Sequence, residues 1–212
     1  MPLPPKTVSR LYQKLSKYFP DARSELHYKN KFQLLVSVIL SAQSTDKTVN
    51  SVTPELFALC PSPEAFLQCG EARLRRIIKP IGLAPAKAKN IINTCKILLD
   101  RHRGKIPDNR EALESLPGVG RKTASVVLNE AFGQATIAVD THVFRVANRT
   151  GLAPGKTVRE TEAGLLEVTP EKWRKQAHRY LILHGRYVCK AKNYHCAECV
   201  IVKECEYPDK IL

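Results

Sequence analysis

Residues 116–124 read Leu-Pro-Gly-Val-Gly-Arg-Lys-Thr-Ala (LPGVGRKTA), and the flanking pattern makes them the link between two helices, one ending at Leu116 and the next beginning near Arg121. Gly118 and Gly120 permit a sharp turn and a close backbone approach, and the turn points N–H groups outward at the positive end of the second helix. Such a turn can hold a phosphate without reading base sequence. An ordinary tight connection between helices uses the same residues, so the turn alone leaves both readings open.

Helical patterning continues on either side. The run KFQLLVSVILSAQS over 31–44 is apolar around most of its circumference, as in a helix buried on all sides. Ser62 and Pro63 read as an N-cap and first helical residue, opening a short helix to Leu67. A further helix is expected over 72–79, ended by Pro80. Pro85 starts a long amphipathic helix through Leu99, with Gly104 beyond its end. More helices are expected over 110–116, 121–132, 141–149, 158–168 and 170–184. The only strand-like run, 136–139, is too short and isolated to build a sheet. The predicted fold class is all-α.

The chain has 212 residues, 43% of them hydrophobic, enough for one domain or two small ones with a real core, which excludes wholesale disorder. No apolar stretch approaches the roughly 18 residues of a membrane helix, and the opening MPLPPKTVSR lacks the hydrophobic region of a secretory signal. A soluble, intracellular protein is expected. Lys and Arg number 34 against 20 Asp and Glu, a formal charge of +14, which predicts attraction to nucleic acid or an anionic membrane face. Residues 71–103 carry nine of these cations against two acids. A solvated face explains such a run equally well, but its concentration in one helical hairpin favours a nucleic-acid footprint.

Seven cysteines fall into two populations. Cys60, in ELFALC, and Cys95, on a stripe with Ile91, Ile92, Leu98 and Leu99, read as small buried hydrophobes. Cys189, Cys196, Cys199 and Cys205 crowd the last 24 residues as C-x6-C-x2-C-x5-C, in a segment with few aliphatic residues to hold it together. Disulfides are disfavoured in a reducing compartment, leaving tetrahedral zinc or an iron–sulfur cluster. A structural zinc site usually pairs two close knuckles, and only one close pair exists here. The spacing leans to the cluster and leaves zinc open.

Two further residues bear on chemistry. Lys122 sits in the first turn of the helix after the glycine turn, where the helix dipole and Arg121 both oppose its charge, and partial burial would add to them. That is a route to a neutral amine nucleophile; a lysine that pairs with an acid or touches phosphate is the plainer reading. Asp140, in AVDTH, stands at the expected start of a helix. Its simplest role is an N-cap accepting backbone N–H bonds, which also keeps a carboxylate ionised and able to stabilise positive charge on a sugar.

LPGVGRKTA, then VDTHVFRVANRTG, then the four cysteines, with LLVSVILSAQSTD early and HGRYVC late, make a chain that resembles the endonuclease III family, bifunctional DNA glycosylases of the helix-hairpin-helix superfamily, almost end to end. The resemblance implies two helical domains that together bind DNA: a six-helix bundle over 24–132 containing the hairpin, and a second domain of 1–23 plus 133–212 with an iron–sulfur loop. It implies Lys122 as Schiff-base lysine, Asp140 as catalytic aspartate, and a [4Fe-4S] cluster on Cys189, Cys196, Cys199 and Cys205. It places DNA-inserting residues at Gln43 and Leu83, and DNA contacts at Gly118, Val119, Gly120, Arg121, His142, Lys190 and Lys192. Ala84 and Pro85 follow Leu83 where a polar pair is frequent, which predicts a stiffer loop and puts lesion and opposite-base preference in question.

The implied function is base-excision repair by a monomer: removal of oxidised pyrimidines from duplex DNA and nicking 3′ to the abasic site by β-elimination. No membrane partner is expected, and the location would be cytoplasmic or nucleoid-associated. The adenine-mispair glycosylase branch is a rival that Lys122 argues against. A non-catalytic DNA-structure binder with a zinc knuckle is a more distant one. His178 and His184 read as packing or phosphate residues, since no spacing links them to the cysteines.

Overall fold

The computed structural model describes residues 3–212, and none of the described residues lies in a strand. The helices are α1 (Pro5–Tyr18), α2 (Lys31–Ser41), α3 (Asp46–Leu59), α4 (Pro63–Ile77), α5 (Ala84–His102), α6 (Arg110–Glu114), α7 (Arg121–Phe132), α8 (Thr141–Thr150), α9 (Val158–Val168) and α10 (Glu171–Tyr187). The fold is all-α, as the periodicity predicts. No helix among the described residues is long and apolar enough to cross a membrane.

The chain divides into two compact units, one of Ser24–Gly133 and the other of Met1–Arg23 with Gln134–Leu212. In the first, α2 is the axis. Asn30 caps it by accepting from the Gln33 N–H at 2.9 Å, and every residue from Phe32 to Leu40 is buried. Helices α3, α5 and α7 pack around it, closing a core that includes Leu35, Ile39, Leu56, Phe66, Ile91, Leu98 and Leu128. Each such side chain contributes roughly 1.5–3 kcal/mol of burial.

In the second unit α10 is the common partner, packing against α1 and α8. Helix α1 buries Val8, Leu11, Tyr12 and Leu15, one helical face. Tyr12 bonds Thr169 Oγ1 at 2.9 Å through its hydroxyl, and Lys14 pairs with Glu204 at 2.9 Å, so the N-terminal helix is tied to segments far along the chain.

Several boundaries differ from expectation. Helix α2 stops at Ser41, because Gln43 turns left-handed at φ 54°. The two helices expected over 63–79 are there as the two arms of α4, separated at Gly70, whose φ 74°, ψ 161° is not helical, though each arm reaches closer to the break than expected. Helices α1 and α3 were not anticipated; α3 starts at a Thr45 cap and carries Pro54 inside it, a residue that normally argues against a helix interior.

Candidate nucleic-acid interface and active site

In the Ser24–Gly133 unit the glycine turn is built against α5. Gly118 has φ +80°, and a Cβ on it would come within 3.0 Å of Asn90 Nδ2 and 3.2 Å of Asn90 Cβ, so a left-handed backbone and a close neighbour both require glycine. Thr94 donates to the Pro117 carbonyl at 3.0 Å. Gly120 is the N-cap of α7 and supplies no capping side chain; a Cβ there would meet nothing within 4 Å. The start of α7 is thus open on the side of Gly120, with its dipole directed at whatever approaches. Arg110 of α6 braces that turn, its Nη1 donating to Ser125 Oγ at 3.1 Å and to the Arg121 carbonyl at 3.4 Å. Arg121 and Lys122 are exposed and Val119 is buried at 5%. Lys122 thus has the dipole and Arg121 beside it but no burial.

Gln43 and Leu83 come together on the same unit. Leu83 is the left-handed N-cap of α5 at φ 61° and is 56% exposed, unusual for so large an apolar side chain. Gln43 is exposed at φ 54°. A Cβ on Gly82 would lie 3.4 Å from the Gln43 carbonyl, so the two turns touch. Beside Leu83 runs a groove lined by Arg75, Arg76, Lys79, Gly82 and Pro85, its three cations exposed. This is the basic stretch of the sequence seen as surface, with one exception: Lys87 is only 4% exposed.

In the other unit Asp140 caps α8, its Oδ1 accepting from the N–H groups of His142 and Val143, both at 2.9 Å. His142 lies 3.3 Å from Arg145 Nη2 through its Nδ1. Gly185 of α10 allows the close crossing here, since a Cβ on it would fall 2.8 Å from His142 Cβ. Cys189, Cys196, Cys199 and Cys205 line one pocket with Arg149, His184, Tyr194 and Tyr207. Arg149 donates to the Lys190 carbonyl at 2.7 Å, to the Ala191 carbonyl at 3.3 Å and to Cys189 Sγ at 3.6 Å. Its guanidinium lies over the rings of Tyr194 and Tyr207 at 4.3 and 4.9 Å. Burial pushes the Cys199 thiol up to about 11, a cost that a bound cation would reverse. Lys190 and Lys192 are exposed on the loop between the first two cysteines.

His178 and His184 are buried, at 7% and 1%. His178 bonds the Ala138 carbonyl at 2.7 Å, a packing role. His184 is also packed, but its Nε2 comes within 3.7 Å of Cys199 Sγ, a link that no sequence spacing discloses. Arg149, the second Arg of VDTHVFRVANRTG, and Gly185, in HGRYVC, carry no local signal that singles them out, and Lys87 counts among the cations of the basic stretch with no local sign of its burial.

An all-helical fold with a Gly-x-Gly hairpin, an Asp-capped helix and a C-terminal cysteine pocket is the arrangement of a helix-hairpin-helix DNA-repair protein. Residues 36–171 match the family model for the HhH-GPD superfamily of base excision DNA repair proteins. Endonuclease III of Haemophilus influenzae is 53% identical over 192 residues, and that of Escherichia coli K12 52% identical over 192 residues, each match covering 91% of both chains. The fold matches that of an endonuclease III trapped as a covalent intermediate with DNA, at a TM-score of 0.90 and 40% identity over 96% of each chain. A thermostable thymine-DNA glycosylase shares the fold at a TM-score of 0.85. The chain belongs to the HhH-GPD superfamily and, within it, to the endonuclease III family.

Proposed function

We propose that this member of the family is a base-excision repair DNA glycosylase with abasic-site lyase activity, acting on oxidised pyrimidines in duplex DNA. The observation that carries the reading is the placement of Lys122 in the exposed first turn of a helix whose glycine cap is open, in a fold whose relative has been trapped covalently on DNA.

The hairpin at Gly118–Gly120 receives a backbone phosphate at the α7 dipole. The damaged nucleotide leaves the stack, because its glycosidic carbon is unreachable inside the duplex, and Leu83 and Gln43 fill the space it vacates. The Lys122 amine bonds C1′ as the glycosidic bond breaks and the base departs. Asp140 stabilises positive charge on the sugar while that bond breaks. Ring opening leaves an iminium between Lys122 and the sugar; loss of a 2′ proton expels the 3′ phosphate, and water releases the lysine. The groove of Arg75, Arg76 and Lys79 and the Lys190–Lys192 loop supply phosphate contacts that position the strand.

The four thiols suit a [4Fe-4S] group. They line one pocket, yet among the described residues no three His, Cys, Asp or Glu side chains converge on a point fit for a single ion. Thiolates are the ligands that iron–sulfur clusters take, and Cys189, Cys196, Cys199 and Cys205 would hold the cluster. Bound there, it supplies a structural tie for a loop with little apolar core.

Borohydride reduction of the protein on abasic DNA tests the central step. The wild type should form a stable adduct and Lys122→Gln should not; an undiminished adduct from Lys122→Gln removes Lys122 from the mechanism.

A further inference from the structure

Lys87 is the exception in the basic stretch. It lies in the first turn of α5, where the helix dipole opposes a cation, and burial lowers its pKa. Two costs are therefore borne at one position. Its Nζ donates to the Leu40 carbonyl at 2.8 Å, to the Ala42 carbonyl at 2.5 Å and to Ser44 Oγ at 3.2 Å. An ammonium has three protons, and all three go to a single turn, the one that carries Gln43. On its own helix, the Lys87 backbone N–H donates to the Leu83 carbonyl at 3.0 Å.

The backbone at both ends of this link is strained. Among the described residues four non-glycines have positive φ: Gln43, Leu83, Arg103 and Asn193. Left-handed geometry costs roughly 1–2 kcal/mol per residue, and it persists where the surroundings over-determine it. For Gln43 and Leu83 those surroundings meet at Lys87.

We propose that Lys87 is a positioning residue for base extrusion: from the helix that Leu83 caps, it clamps the turn around Gln43 and so fixes the two inserting side chains in register before DNA arrives. This rests on the reading of Gln43 and Leu83 as the residues that enter the stack. Fixing them in advance removes ordering entropy from the extrusion step. Lys87 takes no part in the bond changes at Lys122.

The test compares two substrates. Lys87→Met keeps the apolar stem and removes the donors. Single-turnover base release from a lesion-bearing duplex should fall about tenfold, the rate equivalent of one strained residue released. Strand cleavage at an abasic site in a single-stranded oligonucleotide, where no base leaves a stack, should keep its wild-type rate. Equal losses on both substrates would mean that Lys87 only holds the fold, and would overturn the proposal alone. In a Gln43→Ala/Leu83→Ala background, Lys87→Met should cause no further loss on duplex; a second full loss there also overturns it. If Gln43→Ala/Leu83→Ala itself leaves duplex release intact, the inserting role fails and the proposal fails with it. Should Lys87→Met not fold, Ser44→Ala removes one acceptor from the turn; a smaller loss confined to duplex, at unchanged melting temperature, supports the clamp, and wild-type behaviour sinks it.

Discussion

Asp140 and Arg149 stand at opposite ends of one helix: Asp140 caps the first turn of α8, and Arg149, in its last turn, grips the cysteine loop through the carbonyls of Lys190 and Ala191 and the sulfur of Cys189. The helix is thus a rigid strut between the carboxylate assigned to sugar stabilisation and the pocket assigned to the cluster. Replacing Arg149 with Met keeps the contact with Tyr194 and Tyr207 in part but abolishes the three bonds. The expected result is a loss of about 2 kcal/mol in unfolding free energy, in the range for hydrogen bonds to a charged group, with a lower iron-to-protein ratio in the purified protein.

Asp140→Asn separates capping from chemistry. Asn is as good an N-cap as Asp, so the melting temperature should barely change and affinity for an abasic-site analogue should hold. Base release should slow by two orders of magnitude or so, about 2.7 kcal/mol of lost charge stabilisation. Parallel losses of stability and rate would reduce Asp140 to a cap.

Gly185→Ala probes the crossing of α8 and α10. The new methyl would sit 2.8 Å from His142 Cβ and 3.1 Å from the His142 carbonyl oxygen, and backbone cannot swing aside as a side chain can. Overpacking of this kind costs roughly 1–3 kcal/mol, which for a chain of this size lowers Tm by about 2–4 °C per kcal/mol. Because the displaced residue follows the Asp140 cap closely, base release should fall as well. A variant with wild-type stability and rate would mean that the crossing relaxes freely.

Cys95 makes stability depend on pH at the alkaline end. It is fully buried, and burial pushes its thiol from 9.0 up to about 12. Between those values the unfolded chain ionises and the folded chain does not, so the unfolded state binds fewer protons and stability falls as pH rises. The contribution approaches 1.4 kcal/mol per pH unit. Denaturant midpoints measured from pH 8 to 11 should drop more steeply for the wild type than for Cys95→Ala above pH 9, and in parallel below it.

Salt dependence reports on the groove of Arg75, Arg76 and Lys79. Each phosphate neutralised steepens the fall of log affinity with log salt by about 0.9. Arg76→Ala should weaken binding to damaged and undamaged duplex alike and make the slope shallower by about 1. An unchanged slope would leave the groove as mere solvated surface.

Local chemistry was readable where local chemistry decides. The glycine turn at 116–124, the Ser62–Pro63 start of α4 and the Asp140 cap are set by backbone geometry and hydrogen bonds within a few residues, and those were legible in the chain. Helix α1 carries its signal in the spacing of Val8, Leu11, Tyr12 and Leu15 alone, because its remaining residues are mostly polar. The break inside α4 is legible as well, because Gly70 takes the left-handed φ of 74° that glycine favours.

What the chain by itself determined, then, is an all-helical fold, its caps and turns, and a set of chemically capable residues, because apolar period and capping act over a turn or two of helix. Tertiary structure alone decided which of nine clustered cations is buried, that His184 reaches a cysteine sulfur, and that Gly185 must be small. Lys87 meets the Ala42 carbonyl across 45 positions of sequence, and desolvation depends on what the fold brings alongside, which no local pattern records.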